Sequence, residues 1–316
     1  MIGSSADDIK TIGIIGAGTI GASWAAYFLA TGRAVHAWDP ADGADKKIRT
    51  FVENAWPALE ALGVVVDGAS PDKLTVESTA AAAAEPADFI QESAPERLDV
   101  KLALYKDFEP AVRPEVVIST STSGLLMSDL QKDTQHPERF VLGHPFNPPH
   151  LIPLVEVLGG AKTDPAVVDW TVDFYNAIGK KAIKLFKEVP GHVANRMQAA
   201  IWREAIHLAL EGVASVADVD AAIAYGPGIR WALMGPNLTF HLAGGEGGME
   251  NFVEHLGPPT ASWWADLGSP SFNDEVKKLL IAGVAEETGG KTVKELASIR
   301  DKRLLAVLKA LTETAE

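Results

Sequence analysis

The sequence contains no cysteine, and this absence excludes several kinds of chemistry at once. A chain without thiols forms no disulfide, has no cysteine nucleophile and offers no sulfur ligand to a metal. The histidines also lack the spacing of a metal motif such as HExxH, so no metal site is expected. Nothing in the composition therefore requires an oxidising compartment or a bound metal.

Positive charge is also scarce. The 316 residues include 28 Lys and Arg against 42 Asp and Glu, which gives a formal net charge of −14. Nucleic acids and anionic membranes both attract basic surfaces, so neither is expected as a partner. The acidity suits a cationic small molecule slightly better than an anionic one, although most of it serves solubility.

Long hydrophobic runs are missing too. No apolar run approaches the ~18 residues that a membrane-spanning helix needs. The polar, acidic segment 1–10 is unlike a secretory signal, so the cytoplasm is the expected location. What the sequence does contain is an ordinary globular balance, with 47% hydrophobic and 22% charged residues. Its length is typical of about two domains.

Strand-like apolar runs alternate with helical patterns along the first part of the chain. This alternation indicates a doubly wound α/β domain of the Rossmann type, built on a parallel sheet. The predicted strands are 11–15, 34–38, 73–77, 89–92, 116–120, 140–143, 154–157 and 182–186, and the predicted helices are 22–29, 46–62, 98–108 and 165–178, with 80–84 as a first helical turn.

Strand-like runs stop after Val189-Pro190-Gly191, and this change marks the expected domain boundary. We assign 1–189 to the α/β domain and 190–316 to an all-helical domain. The Gly- and Pro-rich stretch 243–259 gives no readable helix boundaries and is compatible with a mobile loop near the cleft. The predicted helices of the second domain are 195–211, 218–224, 274–287 and 293–311.

A glycine motif, GxGxxG, lies between the first predicted strand and helix. Its first glycine permits a tight turn, its second lets the backbone approach a pyrophosphate, and its third lets helix and strand pack closely. Asp39 ends the second strand, where its carboxylate can accept a hydrogen bond from the ribose 2′-OH and repels a 2′-phosphate. The motif predicts NAD(H) rather than NADP(H); the alternative is a structural turn with a capping aspartate. The expected cofactor contacts are Gly16, Gly18, Thr19, Ile20, Gly21 and Asp39.

A Pro-rich turn follows His144, and the next strand carries Glu156. If the chain reverses there, Glu156 returns beside His144, fixes the imidazole tautomer and leaves the other nitrogen free to take a proton. The alternative is a structural histidine with its glutamate in a surface pair. The Ser/Thr-rich run 119–124 also follows a strand, where ligands of doubly wound sheets bind, and is otherwise an ordinary polar loop.

The whole set of motifs resembles the 3-hydroxyacyl-CoA dehydrogenase superfamily over nearly the full chain. The resemblance implies a homodimer formed through the C-terminal helices, with substrate bound in the cleft between the domains. The segments that carry it are GAGTIG (16–21), ESAPE (92–96), the Ser-rich run (119–124), GHPFNPP (143–149), LVEV (154–157) and VPGHVANR (189–196).

The resemblance also implies roles for single residues. His144 matches the catalytic base and Glu156 its partner carboxylate, while Ser123 and Asn195 match residues that hold the substrate hydroxyl. Two further residues match positions near the nicotinamide, Glu96 and Lys101. Acyl-CoA members usually have Asn where this chain has Ser121, which questions an acyl-CoA substrate but not the hydride chemistry.

Within the superfamily, segments 89–99, 202–208, 228–235 and 241–245 look most like members that oxidise L-carnitine. A quaternary ammonium cannot donate a hydrogen bond and is bound by aromatic faces. The aromatic residues expected near the cleft are Phe146, Trp202, Trp231 and Phe240, unless they serve the core or the dimer interface. Arg196 or Arg230 can meet the substrate carboxylate, and either can equally form a structural ion pair.

The sequence therefore predicts NAD-dependent oxidation of a 3-hydroxy acid, with L-carnitine giving 3-dehydrocarnitine as the favoured reaction. L-gulonate and a short-chain L-3-hydroxyacyl-CoA are the alternative substrates, although no dense Lys/Arg cluster is present to bind CoA phosphates. A non-catalytic dinucleotide-binding protein is the alternative from another class.

Overall fold

The computed structural model describes residues 5–314. Its strands are β1 (Thr11–Ile15), β2 (Ala34–Trp38), β3 (Leu74–Val76), β4 (Phe89–Glu92), β5 (Val117–Thr120), β6 (Phe140–Pro145), β7 (Leu154–Gly159) and β8 (Lys181–Lys184). The helices among them are α1 (Thr19–Ala30), α2 (Ala44–Ala61), α3 (Ala80–Ala84), α4 (Leu98–Phe108), α5 (Met127–Leu130) and α6 (Pro165–Ala177).

All eight strands form one sheet in the order β3-β2-β1-β4-β5-β6-β7-β8. Neighbouring strands are parallel except β6 and β7, which run antiparallel. The chain starts at β1, moves outward to β3 and returns to β4 on the other side of β1. This reversal creates a switch point at the carboxyl ends of β1 and β4, where doubly wound sheets bind ligands. The predicted fold class is confirmed.

Helix α1 is buried on nearly all sides, which explains why its sequence is apolar throughout. Trp24 and Phe28 are fully buried and stack at 5.3 Å between ring centroids. On the same side of the sheet, Phe174 of α6 packs against Phe89 of β4 at 4.6 Å. This aromatic core fixes α1 against the strands whose ends carry the glycine motif.

The chain divides into two compact units after Asn195, within the first turn of α7 (Ala194–Leu210). The described part of the second unit, residues 196–314, is helical. Its further helices are α8 (Val216–Tyr225), α9 (Pro227–Leu233), α10 (Pro236–Ala243), α11 (Gly248–His255), α12 (Gly257–Trp264), α13 (Asp274–Thr288) and α14 (Val293–Glu313). Large apolar side chains are exposed in this unit, including Trp263 at 64% and Trp264 at 69%.

The stretch 243–259, whose helix boundaries the sequence left open, is mostly helical and is not a loop. A short 3₁₀ turn at Gly245–Gly247 connects α10 to α11, and α12 begins at Gly257. Pro258 and Pro259 lie in the first turn of α12, where the missing N–H has no helical partner to lose. The prolines therefore start a helix here, although they had suggested an interruption. The sequence analysis missed α9, α10 and α12, which have a proline in their first turn, and α11, which begins at a glycine.

Candidate active site

The glycine motif adopts the tight turn that the sequence predicts. Gly16 has a φ of 90°, and a Cβ at this position would lie 2.7 Å from the backbone nitrogen of Ala94. A Cβ at Gly21 would lie 1.9 Å from the carbonyl oxygen of Gly16. At Gly18 nothing lies within 4 Å of the added atom. The first and third glycines are thus required by the protein itself, while the second faces open space that a ligand can enter.

The residues around this turn fit a dinucleotide. Thr19 and Ile20 form the first turn of α1, whose free N–H groups attract phosphate oxygens. Asp39 accepts hydrogen bonds from the backbone of Ala17 at 2.8 Å and of Ala41 at 2.9 Å. A cavity of about 780 Å³ opens beside it, lined by Gly16, Gly18, Trp38, Asp39, Pro40, Ala41, Ser93, Ala94, Pro95, Asp99, Val100, Ala103, Leu104 and Asp107.

Two alanine variants separate the roles of these glycines. We expect Gly21→Ala to destabilise the fold, because its Cβ would overlap a backbone oxygen. We expect Gly18→Ala to melt like the wild type but to bind NAD about tenfold or more weakly, because a methyl group then occupies the ligand's path. Thermal melting and NAD titration measure the two effects. Equal NAD affinity in Gly18→Ala and wild type would contradict this placement of the pyrophosphate.

His144 and Glu156 face each other across the antiparallel pair β6–β7. The Nδ1 atom of His144 lies 2.8 Å from Oε2 of Glu156, and both side chains are buried. The predicted reversal of the chain is therefore confirmed, and the alternative of a surface-exposed glutamate is excluded. Phe146 follows on the same strand end, with its ring edge-on to the imidazole at 5.7 Å.

Glu156 is held ionised by its hydrogen bonds. Burial acts to raise its pKa, but the bonds from His144 and from two backbone N–H groups outweigh burial, and the pKa lies below its usual value. The two backbone donors are Val193 at 2.9 Å and Ala194 at 3.0 Å, both to Oε1. A carboxylate fixed in this way orients the imidazole.

Glu96 shapes the loop that carries Ser123. Its Oε1 atom accepts hydrogen bonds from the hydroxyl of Thr122 at 2.7 Å and from the backbone nitrogens of Ser123 and Gly124 at 3.0 and 2.7 Å. Burial acts to raise the pKa of Glu96, but the bonds from Thr122 and Gly124 and the charge of Lys101 outweigh burial, and the pKa is lowered. Ser123 itself is exposed, and its carbonyl accepts a 3.5 Å contact from Nδ2 of Asn195.

Lys101 makes contacts different from those expected of a cofactor ligand. Its side chain is only 1% exposed, and Nζ lies 2.6 Å from Oε1 of the fully buried Glu92. The other oxygen of Glu92 accepts hydrogen bonds from Tyr105 at 2.8 Å and Thr120 at 2.7 Å. Lys101 thus neutralises a carboxylate inside the domain. Because its Nζ atom is engaged by Glu92, these contacts do not support a contact between Lys101 and the nicotinamide.

A buried polar network lies beneath the serine loop and was missed by the sequence analysis. Gln91 donates to Ser121 at 2.8 Å and accepts from the hydroxyl of Tyr175 at 2.5 Å. Ser121 in turn lies 2.8 Å from the hydroxyl of Ser93. The sequence did contain a signal for this network, because the otherwise apolar strand β4 ends in two polar residues, Gln91 and Glu92. Buried polar groups need partners, so they mark a network.

The remaining predicted substrate residues lie in the helical unit. Trp202 of α7 is 52% exposed, and its ring lies 5.7 Å from that of Phe272. Arg230 and Trp231 belong to α9, and Phe240 of α10 stacks on Phe252 at 4.7 Å. Because more than half of its side chain is exposed, Trp202 is not a core residue of this unit.

Residues 5–314 contain neither a metal-binding cluster nor a membrane-spanning helix. Among them, no group of three or more His, Asp or Glu side chains is placed to hold a metal ion. No helix in the same range is both long and apolar enough to cross a membrane.

A doubly wound sheet, a glycine turn at its switch point, an aspartate at the end of β2 and a buried histidine–carboxylate pair define a dinucleotide-dependent oxidoreductase. The NAD-binding domain of 3-hydroxyacyl-CoA dehydrogenase matches residues 11–189, and the C-terminal domain of the same family matches residues 191–277. The chain belongs to the 3-hydroxyacyl-CoA dehydrogenase family. It is an NAD-dependent dehydrogenase that acts on a secondary alcohol.

Relatives of known name match over almost the full length. The L-carnitine dehydrogenase of Nocardiopsis dassonvillei is 49% identical over 96% of this chain and 92% of its own. The L-carnitine dehydrogenase of Pseudomonas putida is 45% identical over 96% and 94%. A crystal structure of 5-formyl-3-hydroxy-2-methylpyridine 4-carboxylic acid 5-dehydrogenase, an NAD⁺-dependent dismutase, is 29% identical, with a TM-score of 0.84 and coverage of 98% and 100%.

Proposed function

We propose that this dehydrogenase oxidises L-carnitine to 3-dehydrocarnitine with NAD as the acceptor. One observation carries the choice of substrate: relatives that are 45–49% identical over at least 96% of this chain are named L-carnitine dehydrogenase. The site chemistry agrees with a secondary alcohol, because a carboxylate-supported imidazole can accept the hydroxyl proton.

The mechanism assigns one task to each residue. Bound NAD⁺ supplies the acceptor for the hydrogen that leaves C3 with its electron pair. His144 takes the proton of the C3 hydroxyl on Nε2, since Nδ1 is engaged by Glu156. Glu156 keeps the imidazole oriented and stabilises the imidazolium once the proton has arrived. The substrate therefore loses one proton and one hydrogen with its electron pair, and the C3–O bond becomes a carbonyl.

Seven further residues complete the proposed site. Ser123 and Asn195 hold the substrate hydroxyl in reach of His144, and their 3.5 Å contact supports a shared role. Phe146, Trp202 and Trp231 provide aromatic faces for the trimethylammonium group, and Arg230 pairs with the carboxylate. Glu96 contributes at the nicotinamide end by shaping the serine loop.

We also propose a cytoplasmic homodimer. The α/β domain 1–189 binds NAD, and the helical domain 190–316 contributes to the substrate site and to dimerisation. Exposed apolar side chains of the helical unit, such as Trp263 and Trp264, support an interface there, because monomers rarely leave such groups in water.

Initial rates of NADH formation test the substrate. L-carnitine, L-gulonate and L-3-hydroxybutyryl-CoA are compared at equal concentration, with D-carnitine as the stereochemical control and NADP as the cofactor control. We expect kcat/KM for L-carnitine to exceed the others by about 10²-fold or more, because a site built for one charged group rejects analogues that lack it. Faster turnover of L-gulonate or the CoA ester would refute the proposed substrate. NAD binding without any turnover would favour a non-catalytic protein.

A further inference from the structure

His192 is a buried histidine to which the proposed mechanism gives no task. Its side chain is 1% exposed, and its imidazole ring lies 5.2 Å from that of His144. Its Nε2 atom lies 3.3 Å from the carbonyl oxygen of Thr122. Its Nδ1 atom is buried and has no hydrogen-bond partner among the described residues. A buried polar atom without a partner is costly, so its position calls for a reason.

The backbone at His192 is unusual as well. His192 has a φ of 51°, which is the left-handed region that residues with a side chain rarely adopt. The preceding Gly191 also has a positive φ, of 74°. This turn brings the next two backbone N–H groups, of Val193 and Ala194, onto Oε1 of Glu156. The strained turn is therefore what aims the start of α7 at the carboxylate.

Of the four residues 192–195, the outer two contact one part of the site and the inner two contact another. The side chains of His192 and Asn195 reach carbonyl oxygens of the serine loop, at Thr122 and Ser123. The backbone N–H groups of the two residues between them bind Glu156. One short segment thus joins the loop that carries Ser123 to the carboxylate that orients His144. We call residues 192–195 the clasp.

We propose that His192 is a positioning residue, which holds the serine loop in register with the His144–Glu156 pair through its bond to the carbonyl of Thr122. This inference rests on the proposed function for the roles of Ser123 and His144. A carbonyl can only accept, so Nε2 carries the proton and Nδ1 of a neutral ring is left with a lone pair.

The charge state of His192 supports this role. Burial lowers its pKa, the nearby His144 lowers it further, and the bond to Thr122 together with the more distant Glu156 and Glu96 opposes the change only in part. A neutral imidazole places no second positive charge beside His144 when His144 receives the substrate proton. His192 can therefore support the loop without opposing the proton transfer.

Two substitutions separate the hydrogen bond from the ring. His192→Phe keeps an aromatic ring without a donor, while His192→Gln carries an N–H at a reach similar to that of Nε2. We expect His192→Phe to lower kcat by about 10- to 100-fold, because small misplacement of reacting groups is costly. We expect KM for NAD to stay unchanged, and His192→Gln to recover most of kcat. His136→Phe, at an exposed histidine paired with Glu138, serves as the control.

Hydrogen exchange of the free enzyme tests the clasp without any substrate. We expect amides in 122–125 to exchange about two- to tenfold faster in His192→Phe than in wild type or His192→Gln, which is the effect of one lost hydrogen bond. His192→Asn, which tolerates the left-handed region but is too short to reach Thr122, should match His192→Phe.

Unchanged exchange in the Phe and Asn variants would overturn the clasp, whatever the activity. Equal loss of kcat in the Gln and Phe variants would also overturn it. Inactivity of the wild type with L-carnitine would instead refute the proposed function and leave the exchange result to decide on the clasp.

Discussion

His144→Ala is expected to lower kcat for L-carnitine oxidation by about 10²–10⁴-fold, the usual contribution of a general base. The imidazole is the group that Glu156 orients, at 2.8 Å, and its removal takes away the proposed acceptor of the hydroxyl proton. NAD affinity should stay at the wild-type value, because His144 lies on β6 and the glycine turn follows β1. Steady-state rates and NAD titration measure the two quantities.

His144→Asn controls for a loss of stability, because removal of His144 leaves Glu156 without one of its donors. The asparagine N–H can still donate to Glu156, but no nitrogen remains to accept a proton. It should therefore melt like the wild type and lose as much kcat as the alanine variant. Turnover near the wild-type rate in either variant would show that His144 is a structural histidine.

Lys101→Met is expected to lower the free energy of unfolding by about 3–5 kcal/mol, because it leaves the carboxylate of Glu92 buried without its cation. Both side chains are essentially inaccessible, at 1% and 0% exposure. The affinity for NAD should change little, since Nζ is engaged by Glu92 and by the carbonyl of Ala94. Denaturant unfolding and NAD titration of the folded variant distinguish this structural role from a cofactor contact.

The same helix offers a matched control. Lys106 pairs with Asp133 at 3.6 Å, but both side chains are more than half exposed. Lys106→Met should therefore cost no more than about 1 kcal/mol. Adding Glu92→Gln to Lys101→Met removes the unpaired charge and should restore part of the lost stability. If Lys101→Met were as stable as Lys106→Met but bound NAD weakly, the original expectation of a cofactor contact would be right.

The α/β domain could be predicted well because its signals are local. Apolar runs of strand length alternate with helical patterns, and the glycine motif marks the first crossover. The helical unit was predicted less completely. Helices α9 and α12 have prolines in their first turn. In a sequence, a proline indicates the end of a helix unless its position in a first turn is known. Their prolines therefore suggested loops where the chain forms helices.

The candidate site divides in a similar way. The approach of Glu156 to His144 follows from one chain reversal between neighbouring strands, so the sequence was sufficient. The burial of Lys101 against Glu92 was not predictable, because a lysine is expected at the surface unless it is known to pair with a buried carboxylate. The role of His192 depends on a left-handed backbone and on a carbonyl 70 residues away. Neither leaves a pattern in the sequence.

The transfer of the C3 hydrogen from L-carnitine to NAD is the central claim, and an isotope label follows it directly. L-carnitine deuterated at C3 is incubated with the enzyme and NAD⁺, and the NADH formed is analysed by mass spectrometry. The mechanism predicts one deuterium in each NADH and 3-dehydrocarnitine as the product. NADH without deuterium, or no NADH under conditions in which NAD binds, would contradict the account.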